Sequence, residues 1–178
     1  MTSPLLITIA RRNEATATQL AALGHQTFQE TFAADNRPED MAAYLAANFS
    51  PEKQLAELEN ADTVFLLARL NQELVGYAKL HFNSTLGVEP GKATDQRVEV
   101  ERLYVREDWI GTGLGASLMR RAIEEARQKA CRSVVLGVWE KNNRAIEFYR
   151  RFGFKVIGQH EFMVGTDQQT DLIMRKGL

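Results

Sequence analysis

The stretch Arg97-Val-Glu-Val-Glu-Arg-Leu-Tyr-Val105, then Arg106-Glu-Asp-Trp-Ile110, then Gly111-Thr-Gly-Leu-Gly-Ala116, decides how this chain reads. An alternating segment predicts a strand, a short polar turn follows, and the glycines lead into an amphipathic run that ends near Ala130. Gly111, Gly113 and Gly115 remove three side chains where a helix presents its unpaired N–H groups. Those donors and the positive end of the helix dipole together favour an anion. The turn is read as a cradle for a phosphate-bearing cofactor, with the carboxylates of Glu99 and Glu101 at the reacting end.

Outward from this centre the pattern alternates between strands and helices. On the C-terminal side, Leu114, Leu118, Ala122 and Ala126 form one helical row, flanked by Met119 and Ile123. Ser133 to Trp139 is a continuous apolar run of central-strand type. Asn142 to Phe152 reads as a helix stopped by Gly153, and strands are expected over 155–164 and 169–174, with a turn at Gly165-Thr166-Asp167. On the N-terminal side, a short strand over 5–10 precedes a helical period from Glu14 that Gly24 is expected to interrupt. A second helix is predicted over 38–49, and a third after Ser50-Pro51, an N-cap followed by proline at the first helical position. Thr63 to Leu70 and Leu74 to Phe82 read as a hairpin, and Asn83 to Gln96 as the one long loop. The sum is a single α/β domain over 1–178, with helices on both faces of a mixed, mostly antiparallel sheet of about seven strands.

Composition narrows the function classes. A net charge of −1 argues against non-specific nucleic-acid binding, and one cysteine, Cys131, excludes an intrachain disulfide or a multi-cysteine metal site. There is no leading segment of signal type and no run long enough to span a bilayer, so a cytoplasmic protein without metal, membrane or nucleic-acid partner is expected. The turn is not a P-loop, which requires Gly-Lys-Ser/Thr at its end. Gly111, Gly113 and Ala116 match the dinucleotide pattern, but five residues, Arg106 to Ile110, separate strand from first glycine, and the remaining chain is too short for a second nucleotide-binding half. A purely structural glycine turn remains open on these residues alone.

A second constellation bears on the choice. Asn142, Ala145, Ile146, Phe148 and Tyr149 share the later helix, followed by Arg150-Arg151-Phe152-Gly153-Phe154. Combined with the Glu-Val-Glu-Arg-Leu-Tyr-Val strand and the glycine turn, the chain resembles the GNAT superfamily of acetyl-CoA-dependent N-acetyltransferases. The resemblance implies that strands four and five splay apart and that pantetheine inserts between them. It implies that the backbone of Leu103, Tyr104 and Val105 pairs with pantetheine. The amides of Ile110, Gly111, Thr112, Gly113, Leu114, Gly115 and Ala116 would bind the pyrophosphate, Asn142 would contact the pantetheine arm, and Tyr149 would stand near the thioester sulfur. One position departs from the family, which usually carries Gln or Arg where this chain has Ile110.

The chemistry asks for a base, because a primary alkylamine is mostly protonated near neutrality. Glu99 and Glu101 lie two apart, on one face of a regular strand, unless a bulge redirects one. Glu99 aligns with the base of the histone-acetylating members and is ranked slightly first; Glu101 is the alternative base or the binder of the cationic acceptor. Tyr149 is expected to protonate the leaving thiolate. The resemblance places the acceptor site on the helices over about 14–60 and on strands six and seven, with the cofactor core over about 63–154 and the C-terminal strands over 155–178. The Phe-x-Glu-Thr-Phe-Ala segment and the Gln-Thr-Asp tail look like the bacterial spermidine/spermine N-acetyltransferases. Phe28, Glu30, Phe32 and Asp35 are the expected acceptor contacts, with Asp167 and Asp171 as further acids for a distal ammonium. The expected reaction is acetyl transfer to a small polyamine, by a monomer or homodimer. A protein N-terminus or lysine as acceptor, or a non-catalytic acyl-CoA sensor, are the alternatives.

Overall fold

The computed structural model of the protein describes residues 4–93 and 95–178. The elements run β1 (Leu6–Ile9), α1 (Glu14–Phe32), α2 (Pro38–Asn48), α3 (Pro51–Glu59), β2 (Thr63–Leu70), β3 (Glu73–Phe82), β4 (Arg97–Val105), α4 (Leu114–Gln128), β5 (Ser133–Trp139), α5 (Asn143–Arg151), β6 (Lys155–Val164) and β7 (Asp167–Gly177). Seven strands form one sheet in the order β1-β2-β3-β4-β5-β7-β6. Every neighbouring pair is antiparallel except β4 with β5.

Local chemistry sets the boundaries. Asn13 caps α1 by accepting from Thr16 N at 2.9 Å, and Ser50 caps α3 by accepting from Lys53 N at 3.1 Å. Asn71 and Gln72, both at positive φ, make the tight β2–β3 turn. Gly24 does not interrupt α1, which runs through it for 19 residues. It sits against Phe49, whose Cδ1 would lie 2.4 Å from an added Cβ, so the glycine admits a ring rather than ending a helix. The last strand begins at Asp167, so the β6–β7 turn is tighter than expected.

Both faces of the sheet are covered. On one, the Leu114, Leu118, Ala122, Ala126 row of α4, with Met119 and Ile123, packs against Leu66, Ala78, Leu80, Val98 and Val100, joined by Ile146 of α5. On the other, Ala17, Leu20 and Leu23 of α1 and Leu58 of α3 close over Phe65, Leu67 and Tyr77. A third cluster joins Phe28 to Met41, Leu45, Phe49 and Val164, bringing α2 against the end of β6. Asp40 ties that corner: its carboxylate accepts from Thr166 N at 2.7 Å, from Thr166 Oγ1 at 2.8 Å and from Arg37 Nε at 2.9 Å. Those bonds hold its carboxyl down at about 2.

Candidate active site

Strands β4 and β5 pair only from Arg97–Glu99 to Ser133–Val135. Beyond that point β4 bonds only to β3, and β5 only to β7. The edge of β4 from Val100 to Val105 therefore offers backbone N–H and C=O groups to an open slot, which an extended chain of amides can fill as a strand would. The register between β3 and β4 slips at this point: Lys79 faces Arg102 and Leu80 faces Val100, leaving Glu101 as the extra residue. Such a bulge bends its strand and sharpens its twist, which carries β4 away from β5. A cleft of about 520 Å³ opens between them, lined along β4 by Glu101, Leu103, Tyr104 and Val105.

The glycine turn closes one end of the cleft. Gly111 and Gly113 have φ of +81° and +87°, and no atom lies within 4 Å of the Cβ either would carry. Gly113 is the N-cap of α4, and the N–H groups of Leu114, Gly115 and Ala116 have no preceding turn to bond to. The expected cradle divides at this level. Ile110, Gly111, Gly113, Gly115 and Ala116 line the cleft. The amide of Ile110 is bonded to Glu107 O at 3.2 Å, and that of Thr112 leans on Trp109 O at 3.4 Å, so neither is a free donor. The Leu114 side chain is buried in the core beneath Gly76, leaving only its amide for a ligand. The open space over a positive-φ turn and the free first-turn amides fit a pyrophosphate.

Helix α5 supplies the facing wall. The Asn142 side-chain oxygen accepts from Ala145 N at 3.2 Å as the helix N-cap, so its NH₂ is the end available to the cleft. Tyr149 lines the cleft with its ring edge-on to Phe148 (5.4 Å) and Phe154 (5.9 Å), and burial pushes its hydroxyl up to about 12. Arg144 and Arg151 also reach the lining and were not anticipated.

The two glutamates part company. Glu101 lines the cleft and is ion-paired with Lys79. Lys79 also lies 3.2 Å from Glu57, which holds Arg102 at 2.8 Å, so a chain of charges fixes this wall from behind. Glu99 is not among the lining residues. It accepts from Ser84 Oγ at 2.6 Å, and burial raises its carboxyl above the ordinary range although the Ser84 bond opposes this. A regular pleat would have carried both acids to the cleft; the bulge separates them.

The acceptor end is walled by rings. Phe28 stacks on Tyr44 at 4.4 Å and tilts against Phe32 at 4.5 Å, and Phe162 closes on Tyr44 at 5.7 Å. Gln169 and Asp171 of β7 face the same space. Glu30 and Asp35 lie in an adjoining hollow with Lys141, sharing Phe32 and Trp139 with the main cleft. Glu30 is partly committed, accepting from Gln26 Nε2 at 2.7 Å and from Glu107 N at 3.2 Å. Asp167 holds Gln169 Nε2 at 2.9 Å and is not part of the lining. No cluster of three or more His, Cys, Asp or Glu suited to a metal ion occurs among the described residues.

The sequence model of the Acetyltransferase (GNAT) family matches residues 25–154. An uncharacterized N-acetyltransferase in the pepI 3′ region of Lactobacillus delbrueckii subsp. lactis is 32% identical over 97% of this chain and 98% of its own length. A spermine/spermidine N(1)-acetyltransferase of Bacillus subtilis is 34% identical, over only 37% of this chain and 44% of its own. Among solved structures, the PaiA N-acetyltransferase of Thermoplasma acidophilum in complex with coenzyme A has the same fold, with a TM-score of 0.75 over 97% of this chain and 99% of that one at 22% identity. Splayed strands, a free-amide cradle and these likenesses point one way: the chain belongs to the GNAT family and is an acetyl-CoA-dependent N-acetyltransferase.

Proposed function

We propose that the protein acetylates a small cationic primary amine of the polyamine class, spermidine or spermine among them, by direct attack within a ternary complex. The observation that carries this reading is the single cleft in which a phosphate-type cradle and a ring-walled acceptor end with two carboxylates, Glu101 and Asp171, open into the same space. Acetyl-CoA supplies the acetyl group as a thioester. The backbone of Leu103 to Val105 and the NH₂ of Asn142 hold its amide arm, and the amides of Gly113 to Ala116 its pyrophosphate. Direct attack fits the cysteine inventory: Cys131 stands outside the cleft, with its thiol raised by burial, and offers no acyl carrier there.

Glu101 draws the ammonium in, while Glu99, behind the wall, acts only through Glu101 or an intervening water. Tyr149 meets the sulfur as negative charge develops on it. A hydroxyl at about 12 does not hand its proton over completely. Delivery to a thiolate of ordinary pKa about 8.5 would be uphill by about 5 kcal/mol. Tyr149 is therefore a hydrogen-bond donor to the leaving sulfur, a narrower role than full protonation. Phe28 and Phe32 flank the apolar stem of the amine, with Glu30 and Asp35 at its far end. A cytoplasmic setting, where acetyl-CoA is available, belongs to the same reading.

The test is turnover of purified protein with acetyl-CoA against spermidine, spermine, simple alkylamines and an alanyl peptide, followed as free thiol. Polyamine turnover at higher kcat/KM than the peptide supports the reading. Preference for the peptide moves the acceptor to a protein N-terminus, and CoA binding without turnover of any amine makes the protein an acyl-CoA sensor.

A further inference from the structure

Asp171 lines the same cleft as Glu101, and it is built unlike a solvated acid. It is 8% exposed, yet it faces the cleft. Strand register puts it in line with Trp139 of β5 and His160 of β6. Beside it, β5 carries Gly137, where an added Cβ would stand 3.1 Å from His160 Nε2 and 3.3 Å from Asp171 Oδ2. The missing side chain leaves room for the two groups to approach, at 3.9 Å, a small ring rotation short of a hydrogen bond.

The tautomer of His160 follows from its second contact. Its Nδ1 lies 3.0 Å from Glu161 O, and a carbonyl can only accept, so Nδ1 carries the hydrogen. Nε2 is then the ring nitrogen left to face Asp171 and to take up a proton from it. The other charges lining the cleft are engaged elsewhere or at its mouth. Arg102 is held by Glu57 and Gln54, and Glu101 by Lys79. Arg144 stands where the cleft meets the adjoining hollow, and Arg151 turns its Nε to Glu147 O at 3.4 Å. Tyr44 is kept neutral by burial.

We propose that Asp171 is the group that takes the proton from the acceptor ammonium, and that His160 passes it to water. This rests on the acetyltransferase reading above and adds a base that Glu99 and Glu101 do not supply. The ammonium gives one proton to the Asp171 carboxylate, and the freed nitrogen lone pair attacks the thioester carbonyl carbon. A C–N bond forms, the C–S bond breaks, and its electron pair leaves on sulfur. The acetylated nitrogen loses its second proton to solvent. Asp171 returns its own proton through Nε2 of His160, whose side chain is 37% exposed. Desolvation lifts the Asp171 carboxyl to about 6, which makes it a stronger base than an ordinary aspartate while leaving it ionised at neutral pH.

The experiment compares two nucleophiles at pH 7.5: spermidine, which is protonated, and hydroxylamine, which is neutral. Asp171→Asn should lower kcat with spermidine by about 10²–10⁴-fold, as for loss of a general base, but with hydroxylamine by less than about fivefold. Acetyl-CoA binding by calorimetry should be unchanged. His160→Gln, which removes the proton acceptor beside Asp171 and the positive charge the ring carries once it holds that proton, should shift the acidic limb of kcat/KM to higher pH. Equal losses with both nucleophiles, or no loss with either, overturn the proposal, and an unshifted limb in His160→Gln removes the relay. If wild-type protein ignores spermidine, the polyamine assignment fails alone. An alkylamine or alanyl peptide that is turned over then serves as the protonated arm against the same hydroxylamine control.

Discussion

Gly113→Ala separates a cofactor cradle from a merely structural turn. Gly113 holds φ at +87°, a left-handed conformation that costs a residue with a Cβ about 1–2 kcal/mol. Nothing in the protein lies within 4 Å of the new methyl, so that conformational cost is the whole effect on the free protein. At this chain length it lowers Tm by roughly 2–8 °C. The larger effect should fall on the ligand. Relaxing φ swings the first-turn amides of α4 off the pyrophosphate, and one lost bond to a charged group is worth about 1.5–3 kcal/mol, or roughly 10–150-fold in affinity. Gly115→Ala is the control: its Cβ would meet Val105 and Phe148 at 3.8–3.9 Å, ordinary contact, inside a helix that favours alanine by about 1 kcal/mol. Calorimetry with CoA and thermal melts of both variants make the assay. The expected outcome is weak CoA binding in Gly113→Ala and near wild-type binding with equal or higher Tm in Gly115→Ala. CoA affinity within threefold of wild type in Gly113→Ala, with Tm lowered, would refute the reasoning and make the turn structural.

Ile110 is 38% exposed at the mouth of the cleft, where relatives by resemblance carry a polar anchor. Ile110→Gln should tighten CoA several-fold by calorimetry, one added hydrogen bond being worth about 1 kcal/mol. Glu101→Gln should raise KM for the amine at least tenfold with little change in KM for acetyl-CoA. Glu99→Gln, outside the cleft, should change steady-state kinetics less than threefold. Asp171 makes stability depend on pH. Its folded-state value of about 6 lies above the unfolded 3.8, so the folded protein binds the proton more tightly, and stability falls as pH rises from about 4 to 6. Asp171→Asn should therefore be more stable than wild type at pH 7.5, by about 1–2 kcal/mol with solvent screening allowed for, a gain that closes by pH 4 in denaturant titrations. A melt shift independent of pH would show that the carboxyl is not held in its buried, raised state.

Much of the molecule was legible in order. Strand β4, the α4 row and α5 follow from alternation and helical spacing, because those periods record which face each residue buries. The caps Asn13 and Ser50, and the tight turn at Asn71-Gln72, are local hydrogen-bond and φ preferences that need no distant partner. Gly24 was misread for the converse reason. Propensity treats a helical glycine as a breaker, whereas Phe49, 25 residues on, occupies the space that its missing side chain leaves.

The site divides along the same line. Residue types and spacing point to the turn of Gly111 to Ala116, and the family resemblance those motifs carry points to Leu103 to Val105, Asn142 and Tyr149, which line the cleft. Only the tertiary structure decided which carboxylates share the cleft. A one-residue slip between β3 and β4 keeps Glu101 at its wall and sends Glu99 to Ser84, and β7 returns from the far end of the chain to bring Asp171 beside His160 and Gly137. A sequence period tells a residue which face it belongs to. Register and strand order between segments far apart in the chain decide what stands across from it, and the chemistry of a carboxylate depends on that.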